Sequence, residues 1–68
     1  MAAVVELASG HAVVAMGSEQ EVRGALADES LYDADGWCLL RFAFEPATFS
    51  VDPARVVGVH GLTDCEAA

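Results

Sequence analysis

Three side chains near the start of the chain are of the types used in nucleophilic catalysis. Ser9 and His11 stand two positions apart, and Glu6 precedes them as the nearest acid. A serine needs a neighbouring base, and that base needs an orienting carboxylate, before the hydroxyl can attack a carbonyl group. The chain contains no nucleophile-elbow motif, phosphate-binding glycine loop or dinucleotide fingerprint. We therefore expect no catalytic residue and no enzyme activity.

Side chains of metal-ligating type are found at both ends of the chain, at His11, His60, Asp64 and Cys65. Their spacing matches no zinc pattern, and a structural zinc ion needs about four converging ligands. The other cysteine, Cys38, alternates with apolar residues, which is typical of a buried thiol. We expect no metal ion and no cofactor.

The segment Asp33-Ala34-Asp35-Gly36 is similar to the start of a calcium-binding loop. Such a loop needs an acid or amide at its first position and a glutamate at its twelfth. When Gly36 takes the glycine position, Leu31 and Phe42 fall at those two places, so the pattern fails at both ends. The segment therefore predicts a solvated turn.

A third group has the composition of a protein-binding surface. It consists of Trp37, Leu39, Arg41 and Tyr32, to which we add Val4 and Val13 as apolar residues expected on the same face. Aromatic residues and arginine are enriched at the buried centres of protein interfaces. The alternative is that Trp37 covers the edge of the core beside a helix, and the sequence leaves both interpretations open.

The net charge of −8, from 11 acids and three arginines, restricts the partners. Nucleic-acid binding needs clustered basic residues, and an acidic chain is repelled by phosphates and by anionic lipid surfaces. We therefore expect no nucleic-acid or membrane partner, whereas a protein with a basic surface is compatible with the charge. The N-terminus lacks a basic segment and a long apolar run, and no stretch has the length of a membrane span, so the expected location is the cytoplasm.

Local signals predict the elements that would position these residues. Ser9-Gly10 is a turn signal between two alternating runs, Ala2–Ala8 and His11–Met16, and predicts a β-hairpin. Ser18 and Glu21 have capping-box spacing and predict a helix over 19–28, with an apolar stripe of Val22, Ala25 and Leu26. Three further strands are predicted at 37–44, 48–51 and 56–60, with a short turn capped by Asp52 before the last one.

This order, β-β-α-β-β-β, predicts an α+β fold: a small, strongly curved antiparallel sheet of about five strands with one helix. We expect a single domain over residues 1–61 and a flexible tail over 62–68. Apolar residues occupy both faces of the strands, with Val4, Val13, Trp37 and Leu39 expected on one face and Val5, Val14, Leu40 and Phe42 on the other. One short helix covers one face, so we expect a homo-oligomer, a dimer or larger, or else a closed barrel.

The hairpin and helix sequence VELASGHAVVAMGSEQEVRGAL, followed by VDPARVVGV, resembles small bacterial β-rich proteins of unassigned function. These include the FlbD-like flagellar-operon proteins, which share a strand–turn–strand opening and a closing apolar strand but lack the capped helix. The resemblance implies no site residue. Lysine, isoleucine and asparagine, whose codons are AT-rich, are missing from the chain, which indicates a GC-rich bacterial or phage genome.

Three hypotheses for the function follow from the sequence. The first is a small acidic, non-enzymatic protein that acts by self-association and protein–protein binding. The second is an acidic inhibitor of a basic target, such as an antitoxin, an immunity protein or a phage-encoded inhibitor. The third is a small ligand- or metal-binding enzyme.

Overall fold

A computed structural model describes residues 1–62 as five strands, one α-helix and two short 3-10 turns. The strands are β1 (Ala2–Leu7), β2 (Ala12–Met16), β3 (Cys38–Arg41), β4 (Thr48–Val51) and β5 (Val56–Leu62), and the helix is α1 (Glu19–Ala27). The 3-10 turns are Glu29–Leu31 and Pro53–Arg55. The predicted α+β class is confirmed. Among the described residues, no helix has the length and apolar character needed to cross a membrane.

The strands form two antiparallel sheets, one of three strands in the order β2-β1-β5 and one containing β3 and β4. The predicted single sheet of about five strands is therefore wrong. The sheets meet where Phe42 forms an isolated bridge with Ala15 and the Ala43 N–H donates to the Val14 carbonyl. Because the chain turns toward β2 there, β3 ends at Arg41 and does not reach the predicted position 44.

The predicted hairpin is confirmed in β1 and β2. Gly10 has a φ of 93°, which only glycine adopts readily, and the Leu7 N–H donates to the His11 carbonyl across the turn. The register pairs Val4 with Val14 and Val5 with Val13. Directly opposed residues share a face, so the expected grouping of Val4 with Val13 is wrong.

The capping box at the start of α1 is confirmed. The Ser18 hydroxyl accepts from the Glu21 N–H at 3.1 Å, and the Glu21 carboxylate accepts from the Ser18 N–H at 2.9 Å. The helix ends one residue before the predicted position, because Asp28 adopts an extended conformation and caps the next turn. Val22 is buried in the core and Ala25 and Leu26 pack against it, which confirms the apolar stripe.

The core lies between α1 and the inner faces of the two sheets. Its buried residues are Ala3, Val5, Ala15, Val22, Cys38, Leu40, Val51 and Val59. Most of these side chains are small, so each larger one contributes a substantial part of the buried apolar surface. Phe42 is only half-buried and stacks at a tilt against Phe49 with ring centroids 4.6 Å apart. Phe44, in the bend that follows β3, is 73% exposed.

The last strand begins after the predicted capped turn. The Asp52 carboxylate accepts from the Ala54 N–H, and Pro53 occupies the first position of the turn. β5 then continues through Leu62, two residues beyond the predicted end. Leu62, assigned to the predicted tail, is thus the last residue of β5, and positions 63–68 lie outside the described residues.

The helix cap gives the first testable expectation. Ser18→Ala should lower the free energy of unfolding by about 0.5–2 kcal/mol, because the Glu21 N–H loses its acceptor. Urea denaturation followed by circular dichroism measures the change. Gln20→Ala, an exposed substitution in the same helical turn, is the control and should leave the midpoint nearly unchanged. Equal midpoints for Ser18→Ala and the wild type would contradict the capping role.

Two neighbouring leucines of β3 test which face is inward. Leu40 is 8% exposed and Leu39 is 54% exposed. Leu40→Ala should cost about 2–5 kcal/mol, which approaches the roughly 3–10 kcal/mol expected for a whole domain of this size. Leu39→Ala should cost less than about 0.5 kcal/mol. Thermal and urea unfolding of both variants measures the difference, and the reverse ranking would invert the assigned faces.

Candidate functional site

The residues of nucleophilic type do not form a complete catalytic arrangement in the described residues. The Ser9 hydroxyl and His11 Nδ1 are 3.1 Å apart at the exposed turn after β1. The carboxylate of Glu6 instead forms an ion-pair contact with Nε2 of His60 on the neighbouring strand β5. Glu6, the acid considered as the orienting group for His11, therefore contacts the imidazole of His60 instead.

The residues of metal-ligating type are not gathered into a cluster in the part of the chain that the structure describes. Within residues 1–62, no group of three histidine, cysteine or acidic side chains is placed to hold a metal ion. His11 lies at the β1–β2 turn and His60 lies in β5. Asp64 and Cys65, the other two candidates, lie outside the described residues.

The thiol of Cys38 is fully buried in the core. It donates a weak hydrogen bond to the Ala25 carbonyl of α1, with 3.4 Å between sulfur and oxygen. Burial raises the pKa of the Cys38 thiol, which disfavours the reactive thiolate. The packing supports the interpretation of Cys38 as a buried apolar residue.

The segment that is similar to a calcium loop is a turn, as predicted. One carboxylate oxygen of Asp33 accepts from the N–H groups of Asp35 and Trp37 at 2.9 and 3.0 Å. The Asp33 N–H donates to the Trp37 carbonyl at 2.8 Å, and Gly36 closes the turn with a φ of 82°. Asp33 therefore fixes the backbone of Trp37 at the entrance to β3.

Alternation along β3 places a mixed apolar and basic surface on the outside of the two-stranded sheet. We call Trp37, Leu39 and Arg41 the Trp37 surface. Trp37 and Leu39 are 43% and 54% exposed, and Arg41 is also exposed. Across the pair, Leu39 lies opposite Ser50 and Arg41 lies opposite Thr48, so the neighbouring strand contributes short polar side chains.

Tyr32 supports this surface from the inside. Its ring is half-buried against the core, and its hydroxyl donates to the Leu26 carbonyl near the end of α1. Tyr32 also forms an isolated β-bridge with Cys38. Desolvation raises the pKa of the Tyr32 hydroxyl, which stays a neutral donor. Tyr32 therefore ties α1 to β3, whereas Trp37, Leu39 and Arg41 face solvent.

The remaining members of the predicted protein-binding group lie on the other sheet. Val13 is half-buried and packs against the core beside Val5. Val4 lies on the opposite face, in a row with Val14 and His60. The structure thus keeps Trp37, Leu39 and Arg41 together and separates both valines from them.

Sequence reasoning missed other apolar residues that are exposed. On the three-stranded sheet, Met16 and Leu62 flank Ala2 in the row next to Val4. Val57 is the extra residue of a β-bulge opposite Glu6 and Leu7, and it is 66% exposed because the bulge turns it outward. Bulges depend on pairing between distant segments, so no local signal in the sequence identifies this one.

Two side chains of α1 form a clamp on the outer edge of β5. Arg23 donates to the Val59 carbonyl at 2.7 Å, and the Glu19 carboxylate accepts from the Gly61 N–H at 3.1 Å. Glu19 and Arg23 also pair with each other at 3.1 Å. The Gly61 N–H and then Arg23 lower the pKa of Glu19, and the bonds to Ser18 lower the pKa of Glu21.

An open groove lies beside this clamp, between α1 and β5. Its volume is about 240 Å³, and its lining residues are Arg23, Leu26, Ala27, Pro53, Val56 and Val59. This volume is below the roughly 300–1,000 Å³ typical of sites that enclose a small organic ligand. The groove therefore gives no support to a buried small-molecule site.

Acidic side chains are concentrated between α1 and β3. Asp28, Glu29, Asp33 and Asp35 are all exposed there, next to the Trp37 surface in the sequence. The Asp28 carboxylate accepts from the hydroxyl and the N–H of Ser30, and these bonds lower the pKa of Asp28. These carboxylates give the connection between α1 and β3 a negative potential.

Comparisons with protein-family models, with curated proteins and with solved structures gave no match to this chain. The resemblance to FlbD-like proteins stays a prediction.

Acid titration tests the bonds made by Glu19 and Glu21. The pKa of each carboxyl is lower in the folded chain than its ordinary value of 4.5. Their stabilisation is therefore present above that pH and is lost as the pH falls through the folded pKa. We expect Glu19→Gln and Glu21→Gln to lower the melting temperature at pH 7, with the difference from wild type shrinking as the pH falls below 4.5.

Glu45→Gln is the control for this titration, because Glu45 is an exposed residue in the bend after β3. Its melting temperature should follow the wild type across the pH range. A deficit in the Glu19 and Glu21 variants that persists unchanged at low pH would contradict the assigned bonds.

Proposed function

We propose that this chain is a non-enzymatic binding protein that acts by self-association and by binding another protein through the Trp37 surface. The observation that carries the proposal is the joint exposure of Trp37, Leu39 and Arg41 on the outer side of β3. Tryptophan and arginine are enriched among the residues that dominate the energetics of protein interfaces, because each combines a large contact area with directional donors.

Energetics favour covering this surface. Complete burial of a large apolar side chain contributes about 1.5–3 kcal/mol relative to full exposure. Trp37 and Leu39 keep about half of their surface in water, although the core beside them is built largely from smaller residues. A partner that covers both would recover this stabilisation, and Arg41 would supply donors for acceptors on its surface.

Apolar side chains on the outward face of the other sheet support self-association. Met16 and Leu62 lie in one row with Ala2, and Val4 and Val14 lie in the next. Met16 is 51% exposed, and none of these residues belongs to the cluster that packs around Val22. A small chain with outward apolar residues on both sheets gains stability from association.

A second candidate function is binding to a basic target, as an inhibitor would bind. The observation that favours it is the exposed acidic segment of Asp28, Glu29, Asp33 and Asp35, in a chain whose net charge is −8. A field of one sign accelerates encounter with a surface of opposite charge and weakens as salt is added. The same field argues against nucleic acid or an anionic membrane as the partner.

Leu39→Glu tests the Trp37 surface. Leu39 is exposed, so the variant should fold with the thermal stability of the wild type. It should bind the partner captured by the wild type at least about tenfold more weakly, because the interface would bury an unpaired carboxylate. Isothermal titration calorimetry with the purified partner measures the change.

Val57→Glu is the matched control, because it places the same charge at an exposed apolar position on the other sheet. It should bind the partner with wild-type affinity. Equal affinities for Leu39→Glu and Val57→Glu would remove the Trp37 surface from the proposal. Binding that survives Leu39→Glu but weakens strongly with added salt would instead support the acidic segment.

A further inference from the structure

The outer edges of the two sheets are protected unequally. An exposed strand edge presents unpaired N–H and C=O groups to any other strand, so proteins normally cover it. The β2 edge is met by Ala43, which donates to the Val14 carbonyl, and the β3 edge is met by the bridge between Tyr32 and Cys38. The β5 edge carries the clamp of Glu19 and Arg23.

The outer edge of β4 is different. Within residues 1–62, no hydrogen bond from another segment reaches it. The Phe42 N–H donates to the Ala47 carbonyl, which makes Phe42 and Ala47 a hydrogen-bonded pair of the β3–β4 ladder. Alternation in an antiparallel ladder then turns the N–H and C=O groups of Thr48 and Ser50 away from β3.

We infer that this β4 edge pairs with the β4 edge of a second copy, antiparallel and about a two-fold axis at Phe49. The inference rests on the proposed self-association and places its contact at the β4 edge, which lies on the other sheet from Met16 and Leu62. Thr48 of one copy would face Ser50 of the second copy, and the reverse, so that the outward N–H and C=O groups satisfy each other in about four hydrogen bonds. The half-buried Phe49 rings would meet at the axis.

The charge distribution permits contact between two copies at this edge. Each chain carries a net charge of −8, so most approaches of one copy to another are repulsive. Thr48, Phe49, Ser50 and Val51 form a strand without a charged side chain. Facing threonine and serine side chains also form a favourable cross-strand pair.

The same geometry limits association to two copies. Pro46 and Pro53 stand two residues outside the ends of β4, and a proline cannot donate to a ladder, so the added pairing stays short. After pairing, the outer strands of the combined four-stranded sheet are both β3, whose other edge is already bridged by Tyr32. The contact is therefore closed and symmetric, with no edge left for a third copy.

Pairing through β4 leaves the Trp37 surface free. Leu39 and Arg41 lie one strand away from the new contact, on the outward face. The dimer would present two copies of this surface side by side on one continuous sheet face, which suits a partner with a large or repeated binding surface.

Ser50→Pro tests the contact by removing the outward N–H, which an edge strand tolerates in the monomer. Ser50→Ala, which keeps the N–H, is the matched control. In sedimentation velocity from low to high micromolar concentration, wild type and Ser50→Ala should approach twice the 7.1 kDa of one chain, and Ser50→Pro should stay near one chain. A folded Ser50→Pro that associates like the wild type would overturn the inference.

A measurement without substitution covers the case in which Ser50→Pro does not fold. Amide hydrogen exchange of the wild type, resolved by NMR, should show slower exchange at Thr48 and Ser50 as concentration rises. Association that leaves both amides unprotected contradicts the edge contact. Alternatively, Thr48 and Ser50 could be protected equally at every concentration, and this protection could be lost in a chain that ends at Leu62. That result would identify residues 63–68 as the occupant of the β4 edge and would also contradict the contact between two copies.

Leu39→Glu separates this inference from the proposed function. It should dimerise like the wild type, because Leu39 lies outside the edge contact. If Leu39→Glu is monomeric while Ser50→Pro associates, the contact is the Trp37 surface, so self-association stands and the edge assignment fails. A wild type that remains one chain at high micromolar concentration refutes self-association together with the edge contact, and leaves partner binding by the Trp37 surface to its own test.

Discussion

One short helix can cover only one side of the two sheets, and the rest of the structure depends on this limit. α1 has nine residues, and its stripe of Val22, Ala25 and Leu26 packs on one side of the sheets. Everything on the far side of the strands must be polar, small or exposed. The core that results is built mostly from alanine and valine, so the fold depends on backbone pairing and helix caps as much as on large buried side chains. Trp37, Leu39 and Met16 are large apolar residues that the helix does not cover, and they stay exposed.

The two side chains that protect the outer edge of β5 also form an ion pair within α1. Glu19 and Arg23 are one turn apart on α1, so they form an ordinary helix pair and at the same time reach the Gly61 N–H and the Val59 carbonyl. These hydrogen bonds align α1 with β5, and neither side chain has to enter the core. It also explains why the start of α1 is acidic, since Glu19 bonds to the edge strand and Glu21 completes the capping box. The helix cap and the sheet edge are thus stabilised by one segment, residues 18–23.

Elements set by local chemistry were predictable from the sequence, and those set by distant pairing were not. The Ser18–Glu21 box, the Gly10 turn and the Asp52 cap each depend on residues within four positions, and the structure contains all three. The division into two sheets depends on Phe42 and Ala43 meeting β2, some 28 residues earlier in the chain, and no local pattern encodes it. The candidate site divides in the same way. Alternation placed Leu39 and Arg41 outward together, whereas grouping Val4 with Val13 required a register that alternation alone does not supply.

Charge is distributed unevenly between the strands and the rest of the described chain. Among the acidic residues that the structure describes, Glu6 alone lies in a strand, and the others occupy α1, the turns and the connections. Repulsion between copies is therefore strongest around the helix and the loops, and weakest at the strands. A chain with this much exposed apolar surface would aggregate if all of its surfaces were equally accessible to one another. The described carboxylates lie outside the strands apart from Glu6, and Arg41 is the one charge of β3, so contact of the proposed kind would meet least repulsion at the strands. In the proposed function, the net charge of −8 would disfavour most orientations of encounter, and the strands would supply the affinity.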